Sequence, residues 1–338
     1  MGDQDALRVG LVGCGSHGSA LAQAIVRAES LRLVACADPD QRAAGRAAEF
    51  GPGVSTHDGV ESLLAESDVD AVVIATPHHL LAPVALAAVR AGKHVLAEKP
   101  IALNEREAIE VELAAAQAGV CYLAGYSFRF SMFRYIRDLV DMGVAGDIRA
   151  ITGAIGFGPM NRGWVAYPET GGGPLMYIGC HLIDAFLWFL ADEPVAVYAD
   201  VCRRADTGAD ETSAIQLRFA NGGLAQCLVT QAASTFFYEL DIHGRTGEIS
   251  LRGRNFLQFE IEVSSSSVAM YREPTVIRPA VRRDNISMML VPELEEFARA
   301  IREGRPPAIT ATDGRRVLAV LDAIVESGRT GRTVTPAR

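Results

Sequence analysis

A chain of 338 residues, 49% hydrophobic and 22% charged, has room for about two domains and excludes a disordered or collagen-like protein. Its 41 acidic against 32 basic residues give a net charge of −9, which argues against a broad footprint for nucleic acid or an anionic membrane and points to a small-molecule partner. The six cysteines (Cys14, Cys36, Cys121, Cys180, Cys202, Cys227) lie far apart with no C-x-x-C pair, so they read as reduced thiols. The N-terminal segment has no basic leader, and no stretch approaches the roughly 20 apolar residues of a membrane helix; a soluble, cytoplasmic chain is expected.

From Leu7 to about Leu123, short apolar runs alternate with alanine-rich helical stretches. Strands are predicted at Leu7–Val12, Leu31–Ala37, Ala71–Ala75, His94–Ala97 and Cys121–Leu123, with helices at Ala20–Ala28, Gln41–Phe50, Val60–Ala65, Ala82–Ala91 and Glu105–Ala118. Continuous apolar strands separated by helices are parallel and covered on both faces, which predicts a doubly wound α/β domain. After about residue 145 period-2 strands follow one another, at Val195–Val201, Ile215–Phe219, Tyr238–His243, Ile249–Leu251 and Phe256–Val263, with a hairpin turn at Asn221-Gly222-Gly223. Strands without intervening helices predict an α+β domain with a large, mostly antiparallel open sheet. Ser264–Ser267 reads as a solvated loop, and the tail returns to helix, with Leu290, Leu294, Phe297 and Ile301 on one face and Val317, Leu318, Leu321 and Ile324 on the next.

Gly13-Cys14-Gly15-Ser16-His17-Gly18 is a G-x-G-x-x-G between the first strand and the first helix. Gly13 permits the tight turn, Gly15 lets backbone approach a pyrophosphate, and Gly18 allows close helix–strand packing, while the helix N-terminus offers N–H groups to phosphate. The second strand ends in Asp38, 20 residues after Gly18, where a carboxylate binds both ribose hydroxyls and repels a 2′-phosphate. NAD is therefore favoured over NADP, although Arg42 stands near enough in sequence to accept that phosphate or to be a solvated helix residue.

Thr76-Pro77-His78-His79 and Glu98-Lys99-Pro100 each follow a predicted parallel strand, at the carboxyl ends where open α/β sheets bind ligands. A lysine there exchanges protons only if its pKa falls from about 10.4 toward neutrality, through burial or a nearby positive charge. Pro100 restricts the backbone at Lys99. His78 and His79 have no partner at metal-ligand spacing and read as loop residues near the cofactor, with no metal expected. Farther on, Gly171-Gly172-Gly173-Pro174 opens a helix over Leu175–Leu190 with Ile178, Leu182, Ala185 and Phe189 on one face and Tyr177, His181, Asp184 and Trp188 on a second. Such a helix either lines a pocket or is a core helix whose polar groups are bonded internally.

Taken in order, VGLVGCGSHG, IATPHH, AGKHVLAEKP, GYSFRF, the GGG…GCHLID helix, ELEEFARAIREG and SGRTGRTV resemble the Gfo/Idh/MocA family, the dehydrogenases related to glucose–fructose oxidoreductase and inositol dehydrogenase. The resemblance runs from Leu7 to about Val334. It implies an NAD(P)-binding Rossmann domain, placed at residues 1–125, and an α+β substrate-binding and oligomerisation domain at 126–338 whose C-terminal helices can pack back on the first. It further implies hydride transfer between NAD(P) and a sugar, cyclitol or related polyol, by a homodimer or homotetramer. By the family pattern Lys99 is the catalytic lysine and His181 the histidine at the reacting hydroxyl, while Ser16, His17, Asp38, Thr76, His78 and Glu98 contact the cofactor.

Many members carry Asp four residues before that histidine; here the position is Tyr177, expected to bind or polarise the substrate oxygen instead. Arg129, Trp164 and Asp184 are candidate substrate contacts, Arg129 for an acidic group and Trp164 for a sugar ring. Two other functions fit the same motifs, an NAD(P)-binding sensor without catalysis and a glycosidase that uses tightly held NAD.

Overall fold

In a computed structural model describing residues 6–159, 163–255, 258–279 and 286–337, the chain divides into two compact units: Met1–Phe130 with Asp284–Arg315, and Ser131–Arg283 with Arg316–Arg338. The first unit is built on six strands, β1 (Leu7–Val12), β2 (Leu31–Ala37), β3 (Ser55–His57), β4 (Ala71–Ile74), β5 (His94–Glu98) and β6 (Tyr122–Gly125). They pair in the order β3-β2-β1-β4-β5-β6, every neighbouring pair parallel. Helices α1 (Ser16–Arg27), α2 (Gln41–Ala48), α3 (Val60–Glu66), α4 (His78–Arg90) and α5 (Glu105–Ala118) connect them, which makes the doubly wound sheet expected from the apolar runs. The order reverses at β1, flanked by β2 and β4, so the loops after β1 and β4 diverge and leave a crevice at their carboxyl ends.

Local signals set the helix ends. Asn104 caps α5 by accepting the Glu107 N–H at 3.0 Å, Glu107 reaches back to the Leu103 N–H at 3.2 Å, and Gly119 closes the helix in the left-handed region. Two helices start earlier than predicted, α1 at Ser16, whose first turn is polar, and α4 at His78, whose first turn sets two histidines before two leucines. His78 and His79 are thus the opening residues of α4 and not loop residues.

The second unit opens with α6 (Met132–Asp141), followed by β7 (Ile148–Gly156). A π-helical turn at Leu175–Gly179 runs into α7 (Cys180–Leu190). Seven further strands follow: β8 (Pro194–Arg203), β9 (Asp210–Phe219), β10 (Leu224–Thr230), β11 (Phe237–Gly244), β12 (Gly247–Asn255), β13 (Gln258–Ser265) and β14 (Thr275–Ile277). The eight strands pair in the order β14-β13-β12-β11-β7-β10-β9-β8, antiparallel throughout except where β10 runs parallel to β7. Phe256 and Leu257, the start of one predicted strand, lie outside the described residues. The predicted loop at Ser264–Ser267 is corrected: β13 continues to Ser265, which is 3% exposed because its hydroxyl donates to the Val144 carbonyl at 2.7 Å.

The chain then returns to the first unit with α8 (Ser287–Glu303), where Leu290, Leu294 and Phe297 join one buried cluster with Leu21, Ile25 and Leu33. Last comes α9 (Ala311–Thr330), which from Arg316 belongs to the second unit. Among the described residues no helix is long and apolar enough to cross a membrane.

Candidate active site

The loop after β1 shows what each glycine is for. Gly13 has φ +90°, and a Cβ there would lie 2.6 Å from the Ala75 backbone. At Gly18 a Cβ would come within 1.9 Å of the Gly13 carbonyl oxygen, so helix and loop touch backbone to backbone. Gly15 is the opposite case: a Cβ would meet nothing within 4 Å, and this residue caps α1 with no side-chain hydrogen bond to the helix end.

Asp38 closes the loop from the end of β2. Its Oδ2 accepts the Cys14 N–H at 2.8 Å and its Oδ1 the Asp40 N–H at 2.8 Å, leaving each oxygen a further lone pair for an incoming hydroxyl. Arg42 is exposed in the first turn of α2.

The lysine centre sits at the end of β5. Glu98 is 6% exposed; its Oε1 lies 2.6 Å from His17 Nε2, and its Oε2 accepts the Lys99 backbone N–H at 3.3 Å. Burial pushes this carboxyl up, but the charge and hydrogen bond of His17 and the charge and amide of Lys99 together hold it below the usual range. Glu98 is therefore an ionised hinge between α1 and Lys99. The Lys99–Pro100 peptide is cis. After the adjacent strand β4, Thr76 has a buried hydroxyl with no hydrogen-bond partner among the described residues. In the same motif His94 serves the fold: its Nδ1 accepts the Cys121 N–H at 2.9 Å, and burial lowers its pKa.

Composition holds a signal that the motif reading left unused. Of 32 cationic residues only Lys93 and Lys99 are lysine. Arginine does not give up its proton at working pH and lysine does when its pKa falls, so Lys99 is one of two basic side chains here, Lys and Arg together, able to exchange one. A second missed residue is Glu293 on α8, 0% exposed, with Glu98 and Lys99 as its charged neighbours. Arg129, buried in the short turn Ser127–Phe130, belongs to this unit too.

The remaining candidates lie in the second unit. The expected continuous α-helix over Leu175–Leu190 is corrected: its first turn is π-helical, and from Cys180 to Leu190 every residue but Trp188 is buried. His181 is 2% and Asp184 1% exposed. Tyr177 sits on the π turn with its ring against Trp164, centroids 6.1 Å apart, and Phe157, 5.9 Å apart. Sequence distance hid this aromatic group. Trp188 instead lies beneath Arg137 and beside Phe189, a packing role.

Asp210 anchors that π turn: its Oδ2 accepts the Leu175 N–H at 2.9 Å. Burial pushes its carboxyl up to about 7, against the pull of that amide. An unfolded Asp ionises near about 3.9, so the raised folded value makes this group's stability contribution largest at low pH and lost as pH rises through about 7, by up to about 4 kcal/mol. Asp210→Asn keeps an acceptor for Leu175 and cannot ionise. Its thermal midpoint is expected to fall less than that of the wild type between pH about 4 and about 8; identical slopes would remove Asp210 from the pH response.

Comparison with known proteins decides the family. Residues 7–126 match the model of an oxidoreductase family with an NAD-binding Rossmann fold, and residues 133–250 match that of the GFO/IDH/MocA C-terminal domain. A 1,5-anhydro-D-fructose reductase of Ensifer adhaerens is 31% identical over 96% of this chain and 97% of its own. The chain belongs to the GFO/IDH/MocA family of oxidoreductases. An inositol 2-dehydrogenase of Rhizobium meliloti is 28% identical over 98% of this chain and 99% of its own. Among solved structures, a levoglucosan dehydrogenase in complex with NADH and L-sorbose shares the fold at TM-score 0.89 and 24% identity, covering 99% of this chain and 100% of that one. An aldose-aldose oxidoreductase from Caulobacter crescentus follows at TM-score 0.85 and 26% identity, covering 98% and 99%.

The first unit is this family's NAD-binding Rossmann fold, and its residues fit the cofactor. The space over Gly15 admits a pyrophosphate, Asp38 has lone pairs left for ribose hydroxyls, and the Thr76 hydroxyl has no protein partner of its own among the described residues.

Proposed function

We propose that this oxidoreductase moves a hydride between NAD and a carbinol carbon of a sugar, cyclitol or related polyol, with Lys99 as the group that takes or returns the hydroxyl proton. The observation that carries the reading is the lysine centre: Lys99 follows the buried Glu98, which is bonded to His17 two residues beyond Gly15. NAD supplies the hydride acceptor; the protein supplies orientation and proton transfer. Lys99 acts as base toward the hydroxyl in oxidation and as acid in reduction. His181 serves as acid or base toward a substrate hydroxyl, and Tyr177 takes the place of the carboxylate that many members of the family carry. Gly13, Gly15, Ser16, His17, Gly18, Asp38, Thr76, Pro77, His78 and Glu98 form the cofactor's surroundings. Arg129, Trp164 and Asp184 contact the substrate. The substrate class follows from relatives named for an anhydro-sugar and for inositol. A cytoplasmic homodimer or homotetramer, joined through the open sheet of the second unit, completes the reading.

The test is a panel of sugars and cyclitols with NAD and with NADP, followed through the absorbance of the reduced nicotinamide. Turnover of at least one member is expected; NAD binding without turnover of any would favour a sensor. The Asp38 carboxylate sets the cofactor preference, so NAD is expected to bind at least about tenfold more tightly than NADP, and Asp38→Asn to narrow that ratio. Tighter NADP binding by the wild type would refute the assignment.

A further inference from the structure

Glu293 is wholly buried on α8, and neither of its carboxyl oxygens has a hydrogen-bond partner among the described residues. The two charges that act on it belong to the lysine centre: Glu98, which opposes a second negative charge, and Lys99, which favours one. Glu98 is already committed to His17 at 2.6 Å and to the Lys99 N–H at 3.3 Å. A carboxylate at Glu293 would be unsolvated, without a donor and beside another carboxylate, so the side chain keeps its proton. Burial first, then the charge of Glu98, holds it well above the usual carboxyl range, and Lys99 pulls the other way.

Several of the other charges around α8 are engaged elsewhere. On α1, His17 is held by Glu98 and Arg27 by Ser287. From the β2 side Arg32 is exposed, while Arg129 is buried in the turn packed on α8. On α8 itself Glu295 accepts the Ser30 N–H, Glu296 pairs with Arg305 and Arg299, and Arg302 donates to Ser30. Among the described residues, Glu98 and Lys99 are the charges that shift Glu293.

Resting on the reading of Lys99 as the proton acceptor, we propose that Glu293 is a positioning residue of the lysine centre. It is a buried acid that stores a proton beside Lys99 and, once that proton is lost to solvent, holds the lysine as ammonium; it thereby sets the pH at which Lys99 becomes a base. No other bond changes. The two groups titrate as one coupled pair.

Because the chain has only Lys93 and Lys99, lysine labelled with carbon-13 at Cε gives two resonances, assigned by Lys99→Arg. The Lys99 signal is followed against pH in the wild type and in Glu293→Gln, without cofactor or substrate, so the outcome is independent of whether a sugar is turned over. The glutamine cannot ionise, so Lys99 is expected to lose its proton about one pH unit or more lower in the variant, and the acid limb of kcat/KM to move by the same amount. Glu293→Met, apolar and of similar volume, is expected to give the same shift and serves should the amide not be tolerated. Superimposable Lys99 titrations in wild type and variant, or a shift to higher pH, would overturn the proposal.

Discussion

Lys99→Ala is expected to lower kcat by about 10²- to 10⁴-fold, the range for loss of a positioned general base, while leaving NAD affinity within a few-fold. The separation of the two effects follows from how the site is built. In the proposed reading the cofactor surroundings come from the loop after β1, from Asp38, from the segment after β4 and from Glu98, with Lys99 assigned to the proton and not to the cofactor. Glu98 keeps its bond to His17 and its contact with the backbone amide of residue 99 when that side chain is shortened. Lys99→Arg sharpens the test, because it preserves the positive charge beside Glu98 and abolishes the exchangeable proton at working pH. If Lys99 contributed only charge, arginine would restore activity; if it moves the proton, Lys99→Arg is as inactive as Lys99→Ala. Full activity in Lys99→Ala would remove the residue from the chemistry altogether.

Gly15→Ala and Gly18→Ala are expected to fail in different ways although they stand three residues apart. At Gly18 the added methyl would sit 1.9 Å from the Gly13 carbonyl oxygen, a backbone atom with no rotamer to change. The loop must move, at a cost of about 1–3 kcal/mol or more, so the protein without cofactor melts earlier and binds NAD weakly. At Gly15 the methyl meets no protein atom within 4 Å. Stability without cofactor is therefore unchanged, and only NAD affinity falls, by about tenfold or more, because the methyl occupies the approach of the pyrophosphate. Thermal melts and calorimetric titration separate the two. Unimpaired NAD binding by Gly15→Ala would place the phosphates elsewhere.

Much of the first unit could be read directly. Apolar runs such as Leu7–Val12 and Leu31–Ala37 gave strands with unchanged ends, since each is mostly buried apolar chain, interrupted only by one arginine near its start. Edge strand β3, the short polar Ser55–His57, escaped for the opposite reason. Helix α6 escaped too: it follows the end of the alternating pattern, and its apolar residues Met132, Phe133, Ile136 and Leu139 are interleaved with four charged ones. In the site, motif spacing located the loop, Asp38 and Lys99, whereas Glu293 was missed although it stands three residues after Leu290 and four before Phe297, on the apolar face of its helix, where a carboxyl is out of place. The π turn under Tyr177 was hidden. An extra residue per turn leaves the hydrophobic pattern of Leu175–Leu190 intact while moving the start of the helix, and its anchor, Asp210, is 35 residues away.

The account rests on hydride transfer from a carbinol carbon to NAD. With a substrate from the panel carrying deuterium at that carbon, the reduced cofactor isolated after turnover is predicted to contain one deuterium, at the nicotinamide ring. Product formed with no deuterium in the cofactor would contradict it.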